Sequence, residues 1–225
     1  MKTQPSRHSA FTLVELCLVV AILGLLATLI VGAQSLTESR VTAQRIYCLS
    51  NLKQVGLAFR MWSNDHNDKF PMQYDAAKGG SREAIEKEEP LQHFMALTNE
   101  LPHPKVLACP TDDRKPVNNY LSLAITNISY FVGLDADEAL PQTILSGDRN
   151  VTNGIAPKKG VMDLTDASPA GWTEQMHNER GNIGLGDGSA QQMQTLLLRR
   201  QITNANASLK IGKTRIQLPL PPAMP

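Results

Sequence analysis

The stretch Ala10-Phe-Thr-Leu-Val-Glu-Leu-Cys-Leu-Val-Val-Ala-Ile-Leu-Gly-Leu-Leu-Ala-Thr-Leu-Ile-Val-Gly-Ala33 carries a single charged side chain, Glu15. As an α-helix, Phe11 to Ala33 extends about 34 Å at ~1.5 Å per residue, enough to cross a hydrocarbon core of ~30 Å. It predicts a transmembrane helix. An ionised side chain in that setting costs at least ~2.5–3.5 kcal/mol, so Glu15 needs a purpose. Lys2 and Arg7 precede the run and no acid does. That asymmetry keeps the N-terminus cytoplasmic and sends the chain beyond residue 34 across the membrane.

A basic head before an apolar run also describes a secretory signal peptide, cut here after Ala33. Glu15, in the first turns of the run, fits that reading poorly. A lipoprotein anchor at Cys17 is disfavoured because Val14-Glu15-Leu16 puts an acid where small or aliphatic residues are expected. The segment Ala10-Phe11-Thr12-Leu13-Val14-Glu15, with its apolar tail, resembles the type IV prepilin signal of pilins and type II secretion pseudopilins. The resemblance implies cleavage between Ala10 and Phe11 by a prepilin peptidase and N-methylation of Phe11. It also implies retention of the apolar helix and an assembly role for Glu15. A carboxylate meeting the new α-amino group of a neighbouring subunit, or of its own helix, would neutralise both charges. The family usually has glycine before the cut, where this chain has Ala10.

Beyond the span, residues 34–64 contain no proline. Cys48, Leu52, Val55, Phe59 and Trp62 recur at three- and four-residue spacing, the stripe of an amphipathic helix continuing the first. Met61 and Trp62 read as core. Asn64-Asp-His-Asn-Asp-Lys-Phe-Pro71 ends the helix with turn formers and a proline. It lacks the ligand spacing of a calcium-binding EF-hand loop. Residues 75–90 read as a charged loop with a short helix, and 91–101 as an amphipathic helix. After Pro110, residues 128–133, 143–148, 182–186 and 189–194 read as strands, the last two joined by a hairpin at Asp187-Gly188. The expected fold class is therefore α+β, with the long N-terminal helix packed on a small antiparallel sheet.

The resemblance extends beyond the leader. Cys48-Leu-Ser-Asn-Leu-Lys-Gln-Val-Gly-Leu-Ala-Phe, Cys109-Pro-Thr-Asp, and an H-x9-DG segment of His177, Asp187 and Gly188 look like pseudopilin-like proteins with a pilin-like fold. This divides the chain into a leader (1–10), a membrane and assembly helix (11–33), its amphipathic continuation (34–64), a globular domain (65–198) and an unmatched extension (199–225). The implied partners are prepilin peptidase, further pilin or pseudopilin subunits, and inner-membrane assembly machinery. The implied location is the bacterial inner membrane, crossed once, with the C-terminal domain periplasmic. A structural calcium, known in major pseudopilins, finds no assignable ligands here; no metal residue and no cofactor are assigned.

Cys48 and Cys109 fall in the part expected outside the cytoplasm, where disulfides persist. A disulfide, two separate buried thiols and metal ligation all remain open for them. His177 reads as a histidine hydrogen-bonded near a sheet edge, or as part of a structural metal site with nearby acids. Asp187 reads as a turn residue. No G-x-S-x-G, phosphate-cradling glycine loop or H-E-x-x-H occurs, so the expectation is a structural subunit with no catalytic residues. A membrane-anchored hydrolase centred on His177 is the weaker alternative. The formal net charge is +1, and Lys2 and Arg7 against Glu15 account for it. A chain so balanced offers no electrostatic footprint for nucleic acid.

Overall fold

The structure is a computed structural model describing residues 12–220, without the side chains of residues 28–38, 40 and 41. The expected cleavage residues Ala10 and Phe11 lie outside the described residues. So do the leader and, for its side chains, the C-terminal part of the expected span up to Ala33. The chain divides into two compact units, residues 1–43 and 44–225.

In the first unit, helix α1 (Leu13–Asn64) begins. Thr12 opens it with a reciprocal cap: its N–H and its hydroxyl donate to Glu15 Oε2 at 2.9 and 2.8 Å, and Glu15 N–H donates to Thr12 Oγ1 at 3.3 Å. This is the capping box that T-x-x-E before an apolar run encodes, and it satisfies helix-start donors that would otherwise be orphaned. From Leu13, 78% exposed, through Leu26, the described large apolar side chains of this stretch are exposed. Among the described residues no helix is long and apolar enough to cross a membrane, and the side chains described in this run stop at Ala27.

The second unit is α+β. Its strands are β1 (Tyr130–Gly133), β2 (Ile144–Asp148), β3 (Val151–Thr152), β4 (Val161–Thr165), β5 (Gly171–Trp172), β6 (Arg180–Leu185), β7 (Ala190–Gln194) and β8 (Lys213–Gln217). Six form one antiparallel sheet in the order β4-β8-β1-β2-β6-β7, while β3 and β5 pair separately. Alternation along the strands divides the core in two, because successive side chains point to opposite faces. Tyr130, Val132 and Leu145 join Cys48, Leu52, Val55, Phe59 and Trp62 of α1. Phe131, Ile144, Ile183 and Ile216 join Leu198, Ile202 and Ala205 of α3 (Thr195–Leu209). The sheet is thus covered by α1 on one face and α3 on the other.

All five residues of the expected α1 stripe are buried, whereas Met61, read as core, is 46% exposed. Helix α1 ends as the composition demands: Asn67 and Asp68 take left-handed φ of 55° and 57°, and Asp68 N–H donates back to Ser63 O at 3.0 Å.

Three further expectations need correction. The helix expected over 91–101 is only α2 (Leu91–Met95). Beyond it the chain tightens into turns with Leu97 N–H donating to Phe94 O, which still buries Phe94, Leu97 and Leu101 on one side. The loop at 75–90 holds two short 3-10 turns, and its Ser81 and Ala84 are buried. The largest correction concerns residues 199–225. Far from being an extension, they contain most of α3 and the strand β8, which lies between β4 and β1 inside the sheet. The globular unit therefore runs from residue 44 and includes segments on both sides of the expected 65–198 boundaries.

Candidate functional site

Four separate segments converge on α1 at Cys48. Cys48 and Cys109 form a disulfide, with Cα atoms 5.2 Å apart. Closing a loop of this size stabilises by roughly 4 kcal/mol in the chain-entropy treatment. The residues after Cys109 explain the Cys-Pro-Thr-Asp pattern. Thr111 Oγ1 lies 3.0 Å from Cys109 Sγ and 3.2 Å from His177 Nδ1. Asp112 accepts from Arg149 Nε at 2.8 Å and Nη2 at 2.6 Å, a bidentate clamp on the residue immediately after β2. Burial alone would raise the Asp112 carboxyl, but hydrogen bonds from Arg149, Asp113 and Ser129 and the guanidinium charge of Arg149 hold it down, to about 2.

His177 is buried over β2 and β6, two interior strands, and not at a sheet edge. Its Nε2 lies 3.4 Å from Cys109 Sγ, 3.3 Å from Asp148 Oδ2 and 3.4 Å from Asn182 Nδ2. Asn182 donates to the same Asp148 oxygen through its backbone N–H at 2.7 Å and its amide at 2.9 Å. Asp148 Oδ1 is buried without a partner. Burial pushes the Asp148 carboxyl up, against the opposing hydrogen bond and charge of His177 and the two donors of Asn182.

The other end of the H-x9-DG segment touches α1 as well. Strand β6 occupies most of the interval, and the turn after it places Asp187 and Gly188 against the helix. Gly188 has φ +80°, and Leu185 N–H donates to Ser189 O at 2.8 Å, so the hairpin is a three-residue loop with a left-handed glycine. A Cβ on Gly56 of α1 would come within 3.1 Å of Gly188 O, and one on Gly188 within 2.7 Å of Arg60 Cδ. Arg60 Nη1 donates to Asp187 O at 3.0 Å while its Nε pairs with Glu138 at 3.0 Å. Asp187 itself caps the loop by accepting from Ser189 N–H at 2.8 Å. The motif is therefore one strand anchored twice on α1: at the disulfide through His177 and at the Gly56 notch through Gly188.

Chemically, this centre is poorly suited to a relay. A cysteine–histidine–carboxylate set uses one imidazole nitrogen for the nucleophile and the other for the carboxylate. Here Nε2 faces both the sulfur and Asp148, the sulfur is bonded, and His177 and Asp148 side chains have no exposure. Among the described residues, Cys48, Cys109 and His177 are the one group of three such side chains close enough to share a metal ion. They offer sulfur and nitrogen, not the oxygen shell that calcium takes. A surface groove of about 520 Å³ between Asn153 and Pro169 shares no residue with this centre. No family model, curated protein or solved structure matches the chain.

Of the residues that sequence pattern singles out, the structure brings Cys48, Cys109 and His177 together and places Asp187 and Gly188 at the second anchor. Asp148 and Asn182 carry no signal in the sequence because nothing local distinguishes them, whereas Thr111 falls within the Cys109-Pro-Thr-Asp pattern. Arg60 is equally silent, while Gly56 lies within the quoted Cys48-to-Phe59 segment. The Thr12–Glu15 cap, in contrast, is written in the T-x-x-E spacing.

Proposed function

We propose that the chain is a pilin-like or pseudopilin-like structural subunit, processed between Ala10 and Phe11 and assembled through its N-terminal helix into a pseudopilus or pilus-like fibre. It acts by assembly, anchored in the inner membrane before incorporation, with its sheet domain on the periplasmic side. The observation that carries this reading is the start of α1. The capping pair Thr12–Glu15 opens the helix immediately after the expected cut, and the described large apolar side chains beyond it, Leu13 to Leu26, are exposed and await a lipid or subunit partner. Filaments arise when one heterologous contact repeats without closing, and a long apolar helix surface supports such a contact. An α+β fold with a helix laid across an antiparallel sheet is compatible with that role.

The cap sharpens the assembly test. Glutamine at position 15 keeps an acceptor for Thr12 but removes the charge, whereas valine removes both. If Glu15 neutralises the α-amino group of a neighbouring Phe11, Glu15→Gln and Glu15→Val both lose incorporation into sheared fibres while remaining in the membrane. Wild-type incorporation of Glu15→Gln would leave Glu15 as a helix cap alone. N-terminal sequencing of the mature chain tests the processing step. A methylated Phe11 is expected, and a start at Gln34 overturns the reading in favour of a secreted protein with a removed signal peptide.

A further inference from the structure

We propose that Cys48, Cys109, His177 and Asp148 form a tetrahedral site for zinc(II) when the Cys48–Cys109 bond is reduced. In the disulfide form the two sulfurs and His177 Nε2 already crowd one buried point: the ligand atoms of Cys48, Cys109 and His177 all lie within 4.8 Å of one another, and Asp148 Oδ2 stands beside His177 Nε2. Two distances match a coordination shell. With Zn–N at ~2.0–2.1 Å, Zn–S at ~2.3 Å and Zn–O at ~2.0–2.2 Å, tetrahedral angles separate N from S by about 3.6 Å and N from O by about 3.4 Å. His177 Nε2 is 3.4 Å from Cys109 Sγ and 3.3 Å from Asp148 Oδ2.

The surroundings suit a metal ligand more than a resting disulfide. Thr111 Oγ1, 3.2 Å from His177 Nδ1, is placed to accept the Nδ1 proton once a metal takes Nε2, the outer contact that orients ligating histidines. Asn182 holds Asp148 by two hydrogen bonds on one oxygen, and Asp148 Oδ1 is left buried without a partner. The ligand set is also selective: two thiolates, an imidazole and one carboxylate suit zinc over calcium or magnesium.

The chemistry balances with a phosphine as reductant. The phosphine takes an oxygen from water to become its oxide, the sulfur–sulfur bond breaks, and the two protons of that water end on Cys48 and Cys109. Zinc then displaces both thiol protons and binds the two thiolates. Oxidation and metal occupancy exclude each other, because the same two sulfurs serve both. The node is a covalent clip in one redox state and a metal clip in the other.

The test uses the full chain in detergent, with Cys17→Ser to remove the remaining thiol, titrated anaerobically with cobalt(II) before and after phosphine reduction. The reduced chain is expected to develop sulfur-to-cobalt charge-transfer and intense d–d absorption saturating at one equivalent, bleached by one equivalent of zinc. The disulfide form is expected to stay colourless. His177→Ala is expected to weaken binding about a hundredfold and Asp148→Asn about tenfold, and Cys48→Ser with Cys109→Ser to abolish it. A reduced chain that stays colourless, folded or not, overturns the site. So does binding that is unchanged in His177→Ala, which would show thiols gathering metal on an unfolded chain; circular dichroism of each sample identifies that case.

Discussion

Two apolar stretches of α1 have opposite fates. From Leu13 to Leu26 the described large apolar side chains are exposed, with Leu23 at 59%. From Cys48 to Trp62 one stripe is entirely buried, with Phe59 set edge-on to Phe70 and Phe94 at centroid separations of 6.2 and 6.3 Å. The difference is one of pattern. The second stretch repeats at helical spacing and meets a sheet face, whereas the first is apolar all round, so no single face can satisfy it. Apolar residues build a domain only where their own chain supplies the opposing surface.

The strongest way to break this contrast is a paired truncation. Phe59→Ala is expected to cost about 3–5 kcal/mol, and Leu23→Ala close to nothing, in urea denaturation followed by tryptophan fluorescence. Equal losses would mean that the first stretch is also part of the folded core.

The second test concerns acid. His93 is buried between Ser81 Oγ and Gln217 Oε1, each 2.7 Å away, and these partners fix a neutral ring that donates from Nε2 and accepts at Nδ1. Burial lowers it from 6.5 to about 4, against the Gln217 hydrogen bond. The unfolded chain then binds a proton that the folded chain refuses between those values. Stability is full above about 6.5 and falls as pH drops toward 4, by roughly 3 kcal/mol in total. His93→Gln is expected to flatten that slope in denaturation curves taken from pH 7 to 4, and an unchanged slope would assign the acid sensitivity elsewhere.

Smaller effects separate the two anchors of the H-x9-DG segment. Gly188→Ala adds a Cβ at positive φ and against Arg60, and about 1–2 kcal/mol of destabilisation is expected in the same urea assay. Asp187→Ala leaves the turn glycine in place and is expected to cost less than half as much. At the helix start, Thr12→Ala removes the cap for about 1 kcal/mol. Amide hydrogen exchange is expected to speed up only in the first turn of α1, with the sheet unaffected.

Much of this architecture is legible in the residues, for identifiable reasons. The α1 stripe carries its helical period in the residues themselves, β1, β2 and β6 read as short runs between turn formers, and Asp187-Gly188 names its own turn. Strands β4 and β8 are hidden because charged residues interrupt them. Asp163 alternates with buried Met162 and Leu164, and Lys213 and Arg215 with Thr214 and Ile216. Those charges are paired across space, Lys213 with Asp163 at 2.7 Å and Arg215 with Asp135 at 2.5 Å, which a local window does not see. The centre around His177 is half visible for the same reason. Its cysteines and histidine are rare residue types that attract attention, while Asp148, Asn182 and Thr111 gain their meaning only when β2, β6 and the Cys109 loop meet.

Strand β8 also sets a timetable. It is the last of the described strands in the chain, yet β4 and β1 are joined only through it. A chain emerging in N-to-C order presents β1 with one raw edge and β4 with another until residue 217 is free to slot between them. The domain closes like a zip whose slider arrives last, and until then both edges are open to wrong partners, other copies of the same chain included.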